Sequence, residues 1–231
     1  MTVNLVREID DRVPIRLVLV SVSDKKGLED LVPALVEVNP EVRIISTGGT
    51  YRRLSDILGE TKSQRHLGRV SEFTGQPETQ GGLVKTLDFK LYLGLLSETY
   101  NDAHKGDLAR TGSMPIDMVV CNLYPFARTV AREGVTVEEA RANVDIGGPS
   151  MIRAAAKNFL RVASVVDPED YPSLIEKLKE SEGTLGLETR FELARKAFRH
   201  TADYDSVIAE HFGELDLGSA RSCYTIVEDD R

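Results

Sequence analysis

The residues of this chain best equipped for chemistry lie between Asn122 and Asn158, where Asn122-Leu-Tyr-Pro-Phe126, Asp145-Ile-Gly-Gly148 and Ala154-Ala-Ala-Lys-Asn158 follow one another closely. A carboxamide, a phenol, a carboxylate and an ammonium interleaved with glycines are the polar groups of a small-molecule site. Tyr124 follows the apolar run Ile116-Asp-Met-Val-Val-Cys-Asn-Leu123, so it is expected where a buried strand ends. Open α/β sheets bind their ligands at that edge.

A second set of residues suits an anion. The loops Ser21-Val-Ser23-Asp-Lys25-Lys-Gly27 and Ser46-Thr47-Gly48-Gly49-Thr50 each end a predicted strand and lead into a predicted helix. Gly48 and Gly49 allow backbone amides to approach a phosphate, Ser46 and Thr50 add hydroxyl donors, Lys25 adds a charge, and the helix N-termini supply positive potential. Neither loop has the Walker pattern or the dinucleotide fingerprint, so the anion would be the phosphate end of a substrate. Each residue also has a plain reading. Gly48-Gly49 suits a tight turn, Asp145 a turn or helix cap, Gly147-Gly148 a backbone path, Tyr124-Pro125 a strand end, and Lys157 a solvated lysine near a helix C-terminus.

The elements that must position these groups follow from hydrophobic patterning. Ile15 to Val22 is β-branched and nearly continuously apolar, as a strand covered on both faces should be. Leu28, Leu31, Val32, Leu35 and Val36 recur at helical spacing until Asn39-Pro40, residues 41–46 form a second strand, and a helix of about ten residues starts at Thr50. A βαβα unit with right-handed crossovers makes the sheet parallel. Residues 71–86 lack periodicity and read as a functional loop. Thr136 caps a short helix with Glu138 and Glu139 in its first turn. Another helix starts near Pro149, residues 163–166 form a further strand, and Asp167-Pro-Glu-Asp170 opens the next helix. Residues 187–212 read as helical with a break at His200-Thr201, and 213–231 as a polar tail. The expected fold is α/β, a three-layer αβα sandwich with a mostly parallel sheet. The expected division is an N-terminal extension (1–14), a main domain (15–183), a helical extension (184–212) and the tail.

Composition narrows the function classes. The 231 residues carry a net charge of −8 without a basic stripe, which disfavours a nucleic-acid partner. No apolar run approaches the roughly 20 residues of a membrane span and no signal-peptide pattern opens the chain, so a cytoplasmic location is expected. Cys121 and Cys223 suggest neither a disulfide framework nor a metal site, and His66, His104, His200 and His211 lack zinc spacing.

Taken in order, these segments resemble a known family. Ser21 to Lys25, Ser46 to Thr50, Ser71-Glu-Phe-Thr-Gly75, Val84-Lys85-Thr86-Leu87, Cys121 to Phe126, Val135 to Ala140, Asp145 to Gly148, Ala154 to Asn158 and His200-Thr-Ala-Asp-Tyr-Asp205 are similar to anchors of the inosine monophosphate (IMP) cyclohydrolase domain of the bifunctional purine-biosynthesis enzyme AICAR transformylase/IMP cyclohydrolase. The resemblance implies a methylglyoxal-synthase-like fold, a purine ribotide substrate, a homodimer and no cofactor. A separate formyltransferase would supply the substrate. It further implies that Lys85, Tyr124, Asp145 and Lys157 surround the reacting atoms. A coupled Asp145–Lys157 pair that removes the carboxamide proton, with Lys85 and Tyr124 at the leaving oxygen, is one assignment of their roles, and which group is base and which is acid stays open. The two phosphate loops, together with Thr86, Asn122, Ile146, Gly147 and Gly148, would bind the ribotide.

The chain departs from the family in one segment. Where the family reads Gly-Arg-Val-Lys-Thr-Leu-His-Pro and then a second histidine, this sequence has Leu83, Asp88, Phe89 and Tyr92. Phe159 likewise stands where the family has a histidine. A catalytically silent purine-nucleotide-binding module of the same fold therefore stays open beside the enzyme. Another lyase of the fold, acting on dihydroxyacetone phosphate, is disfavoured by Asn122 to Phe126 and Ala154 to Asn158.

Overall fold

The computed structural model describes residues 5–77 and 85–227, so Leu83 lies outside the described residues. A short strand, β1 (Arg12–Pro14), precedes β2 (Leu17–Val22), β3 (Arg43–Ser46), β4 (Leu67–Arg69), β5 (Met118–Asn122), β6 (Ala163–Val165) and β7 (Thr184–Gly186). Strands β2 to β6 form one parallel sheet in the order β4-β3-β2-β5-β6, while β1 and β7 pair antiparallel apart from it. The architecture is the expected α/β three-layer sandwich.

Alternation along β2 shows why the sheet is covered on both sides. Val18, Val20 and Val22 point into a core shared with α1 (Leu28–Val38), α2 (Gly48–His66) and α9 (Tyr171–Glu180). Leu17 and Leu19 point into a second core, shared with α4 (Phe89–Leu96), α8 (Gly147–Lys157) and α10 (Leu187–Glu214). Successive strand side chains face opposite ways, so a strand packed on both faces must be apolar throughout. The remaining helices, α3 (Val70–Thr74), α5 (Asp102–Thr111), α6 (Phe126–Val130), α7 (Val137–Ala142) and α11 (Leu217–Ser222), are short connectors and rim elements. The helix expected from Thr50 runs to Leu58, where Gly59 adopts a positive φ of 70° and kinks it into a second segment ending at His66.

One reading needs correction. No break occurs at His200-Thr201: α10 is continuous, Thr201 is fully buried, and its Oγ1 donates to the Phe198 carbonyl at 3.1 Å. Without Gly or Pro, a hydroxyl satisfied inside its own helix does not stop it. Within the polar tail, α11 is capped by Asp216, which accepts from Ser219 N at 2.9 Å, and the Tyr224 hydroxyl donates to Glu138. The segments before residue 15 and after residue 183 are joined to each other, because β1 pairs with β7. Arg190 fastens them from α10. Fully buried, it donates to the carbonyls of Asp10 at 2.9 Å, Asp11 at 2.8 Å, Phe159 at 3.0 Å and Leu160 at 3.0 Å, and also to that of Leu185.

A buried ion pair closes the amino-terminal edge of the sheet. Arg161 Nη1 donates to Asp117 Oδ1 at 3.0 Å, and the other guanidinium donors reach the carbonyls of Gly94, Ser97 and Ile116. Asp117 Oδ2 accepts from the amides of Arg16 and Leu17 at 3.0 and 2.9 Å. Removing one partner strands the other in a low-dielectric interior. Asp117→Ala is therefore expected to cost about 3–5 kcal/mol of unfolding free energy. Urea titration at constant m-value will show this as a lowered midpoint, whereas Lys26→Ala, which breaks the exposed Lys26–Glu169 pair, should leave the midpoint within error.

Candidate functional site

All five strands of the sheet run in one direction, so the loops that follow them gather at one edge. Register pairs Val22 with Asn122, which brings the ends of β2 and β5 level, and Val20 with Ser46, so β3 ends beside them two residues earlier. Between those ends and the N-terminus of α8 lies a cavity of 400 Å³. This is within the usual size range of small-ligand sites.

The cavity collects most of the residues expected from sequence. Ser21, Ser23, Lys25, Thr47, Gly48, Gly49 and Thr50 line it from the two phosphate-type loops; Lys85, Thr86, Asn122, Tyr124, Asp145, Ile146, Gly147 and Gly148 complete it. Its wall also includes Leu87, from the Val84 to Leu87 anchor, and Ala142 and Val144, whose apolar side chains carry no motif by which sequence reading could have found them.

Side-chain contacts divide these residues into those that hold the walls and those that face the interior. Asn122 accepts from the amides of Ser23 at 2.7 Å and Asp24 at 2.8 Å, and donates to the Asp24 carbonyl at 2.8 Å. Its carboxamide thereby clamps the β2–α1 loop that carries Lys25. Thr50 Oγ1 donates to the Val22 carbonyl at 3.1 Å and tethers α2 to the end of β2. Ser46 lies outside the cavity: it is fully buried and its Oγ donates to the Val20 carbonyl at 2.7 Å, pinning β3 to β2.

The interior is electropositive at its α2 end. Amides in the first helical turn have no intrahelical acceptor, so those of Gly48 and Gly49 are donors available to an anion, supported by the helix dipole. Gly48 has φ +44°, a conformation L side chains rarely adopt, and a Cβ there would stand 3.7 Å from Lys85 Nζ. Lys85 therefore sits over the α2 turn, and Lys25 flanks the same cavity.

At the other end, Asp145 Oδ1 accepts from the Gly148 amide at 2.9 Å and so caps α8. Burial pushes the Asp145 carboxyl above the ordinary aspartate range, and the amides of Gly148 and Tyr124 oppose the shift only in part. The cap and the site are the same group. A partly desolvated carboxylate with a raised pKa is a better proton acceptor than an exposed one.

Lys157 is not brought to this cavity. It is exposed at the far end of α8, ten residues beyond Gly147, or about 15 Å along the axis. Within this chain the expected Asp145–Lys157 pair does not form, because a straight helix separates the two groups.

The segment that departs from the family pattern has a structural explanation. Asp88 is buried and its Oδ1 accepts from the amides of Lys90 at 2.7 Å and Leu91 at 3.3 Å, capping α4. Its charge is directed at a helix N-terminus, where it is stabilising. Phe89 is exposed and Tyr92 packs against the second core.

Residues 27–150, more than half of the chain, match the family model of the MGS-like domain. The chain belongs to the MGS-like domain family. Residues 155–228 of this MGS-like chain match the family described as the AICARFT/IMPCHase bienzyme. A solved structure titled "Crystal structure of ForH" is similar over 85% of this chain and 98% of that one, at 34% identity and a TM-score of 0.69. No helix among the described residues is long and apolar enough to cross a membrane.

The close fit between α8 and the Lys85-Thr86 segment generates a test. A Cβ on Gly147 would lie 2.5 Å from Thr86 Oγ1, so in Gly147→Ala the Thr86 side chain must shift from its place in the cavity wall. Calorimetric titration with ribose 5-phosphate should show affinity weakened about tenfold. Equal affinity in variant and parent would separate this turn from the ligand site.

Proposed function

We propose that this chain is an IMP cyclohydrolase, closing the pyrimidine ring of 5-formamidoimidazole-4-carboxamide ribotide in purine biosynthesis. The observation that carries this reading is the meeting of Lys85, Tyr124 and Asp145 in one cavity with two anion-type loops. The match of residues 155–228 to the AICARFT/IMPCHase bienzyme supports the purine assignment.

In the reaction, the carboxamide nitrogen attacks the formyl carbon and a C–N bond forms. The formyl oxygen then departs as water, carrying one hydrogen from the carboxamide nitrogen and one from the formamide nitrogen. An amide nitrogen is a weak nucleophile, so the site must hold the two groups face to face, accept a proton and stabilise the developing oxyanion. In the proposed arrangement the α2 turn and Lys25 hold the phosphate. The Asp145 carboxylate takes the carboxamide proton, and Lys85 and Tyr124 stabilise and protonate the departing oxygen. The first-turn amides of α8 add hydrogen-bond donors without reorganisation during the reaction. Burial of Asp145 supports its role as the base, since the raised pKa brings it closer to a working pH near neutrality.

A second reading, a silent purine-nucleotide-binding module, is favoured by one observation: Lys157 stands outside the cavity. Mixing the protein with the formylated ribotide and following IMP absorbance separates the two. Turnover that falls about a hundredfold in Lys85→Ala and in Asp145→Asn supports the enzyme. Saturable ribotide binding with no rate above background would replace it with the binding module. The pH profile adds a signed expectation. Asp145 must be ionised to accept a proton, so kcat/KM should decline as pH falls through its pKa. Because burial raises that pKa, the decline should begin above the usual carboxylate value of about 4, and the limb should vanish in Asp145→Asn.

A further inference from the structure

The Asp145 carboxylate is useful only if its turn stays in place, and a distant part of the chain holds it. The side chain of Asp145 caps α8, while its backbone N–H points the other way. That N–H donates to the Tyr204 hydroxyl at 2.8 Å, across 59 positions of sequence. Tyr204 belongs to α10, beyond the residues that match the MGS-like domain and within those that match the AICARFT/IMPCHase bienzyme.

The same ring reaches the opposite wall. Tyr204 meets Phe126 edge-on with centroids 6.4 Å apart, and His211 meets Phe126 edge-on at 5.8 Å. Phe126 is buried and directly follows Tyr124-Pro125. One α10 side chain therefore contacts both the turn that bears Asp145 and Phe126, the first residue of α6, two positions after Tyr124. Edge-on aromatic contacts fix ring orientation as well as burying area. Burial and the nearby Asp145 carboxyl raise the Tyr204 pKa, which keeps the hydroxyl a neutral phenol at working pH.

We propose that Tyr204 is a positioning residue for Asp145, and that α10 is thereby part of the reaction apparatus as well as of the hydrophobic core. The activity arm of this inference rests on the ring-closure reading; the geometric arm does not. The groups facing the Asp145 carboxyl are the Cys121 thiol on β5, the amides of Gly148 and Tyr124, and the Tyr204 phenol, with Lys25 and Lys85 lining the same cavity.

Tyr204→Phe keeps the ring and removes the acceptor, while Tyr204→Leu removes both. In Tyr204→Phe, the melting temperature should change little, KM should stay within about twofold, and kcat should fall about tenfold. The acid limb of the pH–rate profile should move to lower pH, because a loosened turn admits water to the carboxyl. A carbon-13 titration of the Asp145 carboxyl, assigned with Asp145→Asn, reads the same displacement without turnover. A shifted titration in a protein that shows no ring closure would overturn the proposed reaction and leave the positioning role supported. Unchanged kcat and unchanged titration in Tyr204→Phe would overturn the positioning role, as would a loss of stability that moves neither profile.

Discussion

The parallel direction of the five strands is the constraint on which the rest of this structure depends. Because β2, β3 and β5 point the same way and end close together, the loops after them share one edge, and the helices they feed present N-termini there. Those termini carry unpaired amides and the positive end of the helix dipole. An electropositive cavity at that edge is thus a consequence of the topology. The particular side chains tune it.

Much of the tuning lies in side chains whose hydrogen bonds go to the backbone. Asn122 and Thr50 spend their hydrogen bonds on the backbone of the β2 end, and Ser46 spends its own on Val20. These bonds join loop to strand and strand to strand, so the anion-type loops are held by the sheet itself. At the opposite edge the buried Arg161–Asp117 pair and the five backbone acceptors of Arg190 do comparable work for the chain's amino-terminal segment. Guanidinium groups suit this task because their fixed fan of donors satisfies several buried carbonyls at once.

Asp145 shows how one group meets two demands. Capping α8 through Gly148 places the carboxylate at a helix N-terminus, which stabilises its ionised form, while burial disfavours that form. Burial is the larger influence, so the group is raised above ordinary aspartate without losing the hydrogen bond that orients it. Lys25 and Lys85 bring positive charge to the same cavity, leaving a carboxylate poised among cations and amides.

The sequence by itself determined the class of fold, because β-branched runs such as 15–22 and 41–46, separated by segments of helical period, can be buried only as strands covered by helices on both sides. It also marked most of the residues around the cavity, since Gly48-Gly49, Tyr124 and Asp145-Ile-Gly-Gly148 carry local signatures of turns, strand ends and helix starts, while Lys85-Thr86 stood out only through the family resemblance. Only the tertiary structure decided which of these groups meet. It set Lys157 at the far end of α8 from Asp145, carried α10 unbroken through His200-Thr201, and paired β1 with β7 across the chain. It also placed Tyr204 against the Asp145 amide, although nothing in its helical spacing distinguishes it from a core tyrosine. The physical reason is range: capping, turn and strand preferences act within a few residues, whereas the Tyr204–Asp145 and Arg190 contacts span large separations and exist only after the layers have packed.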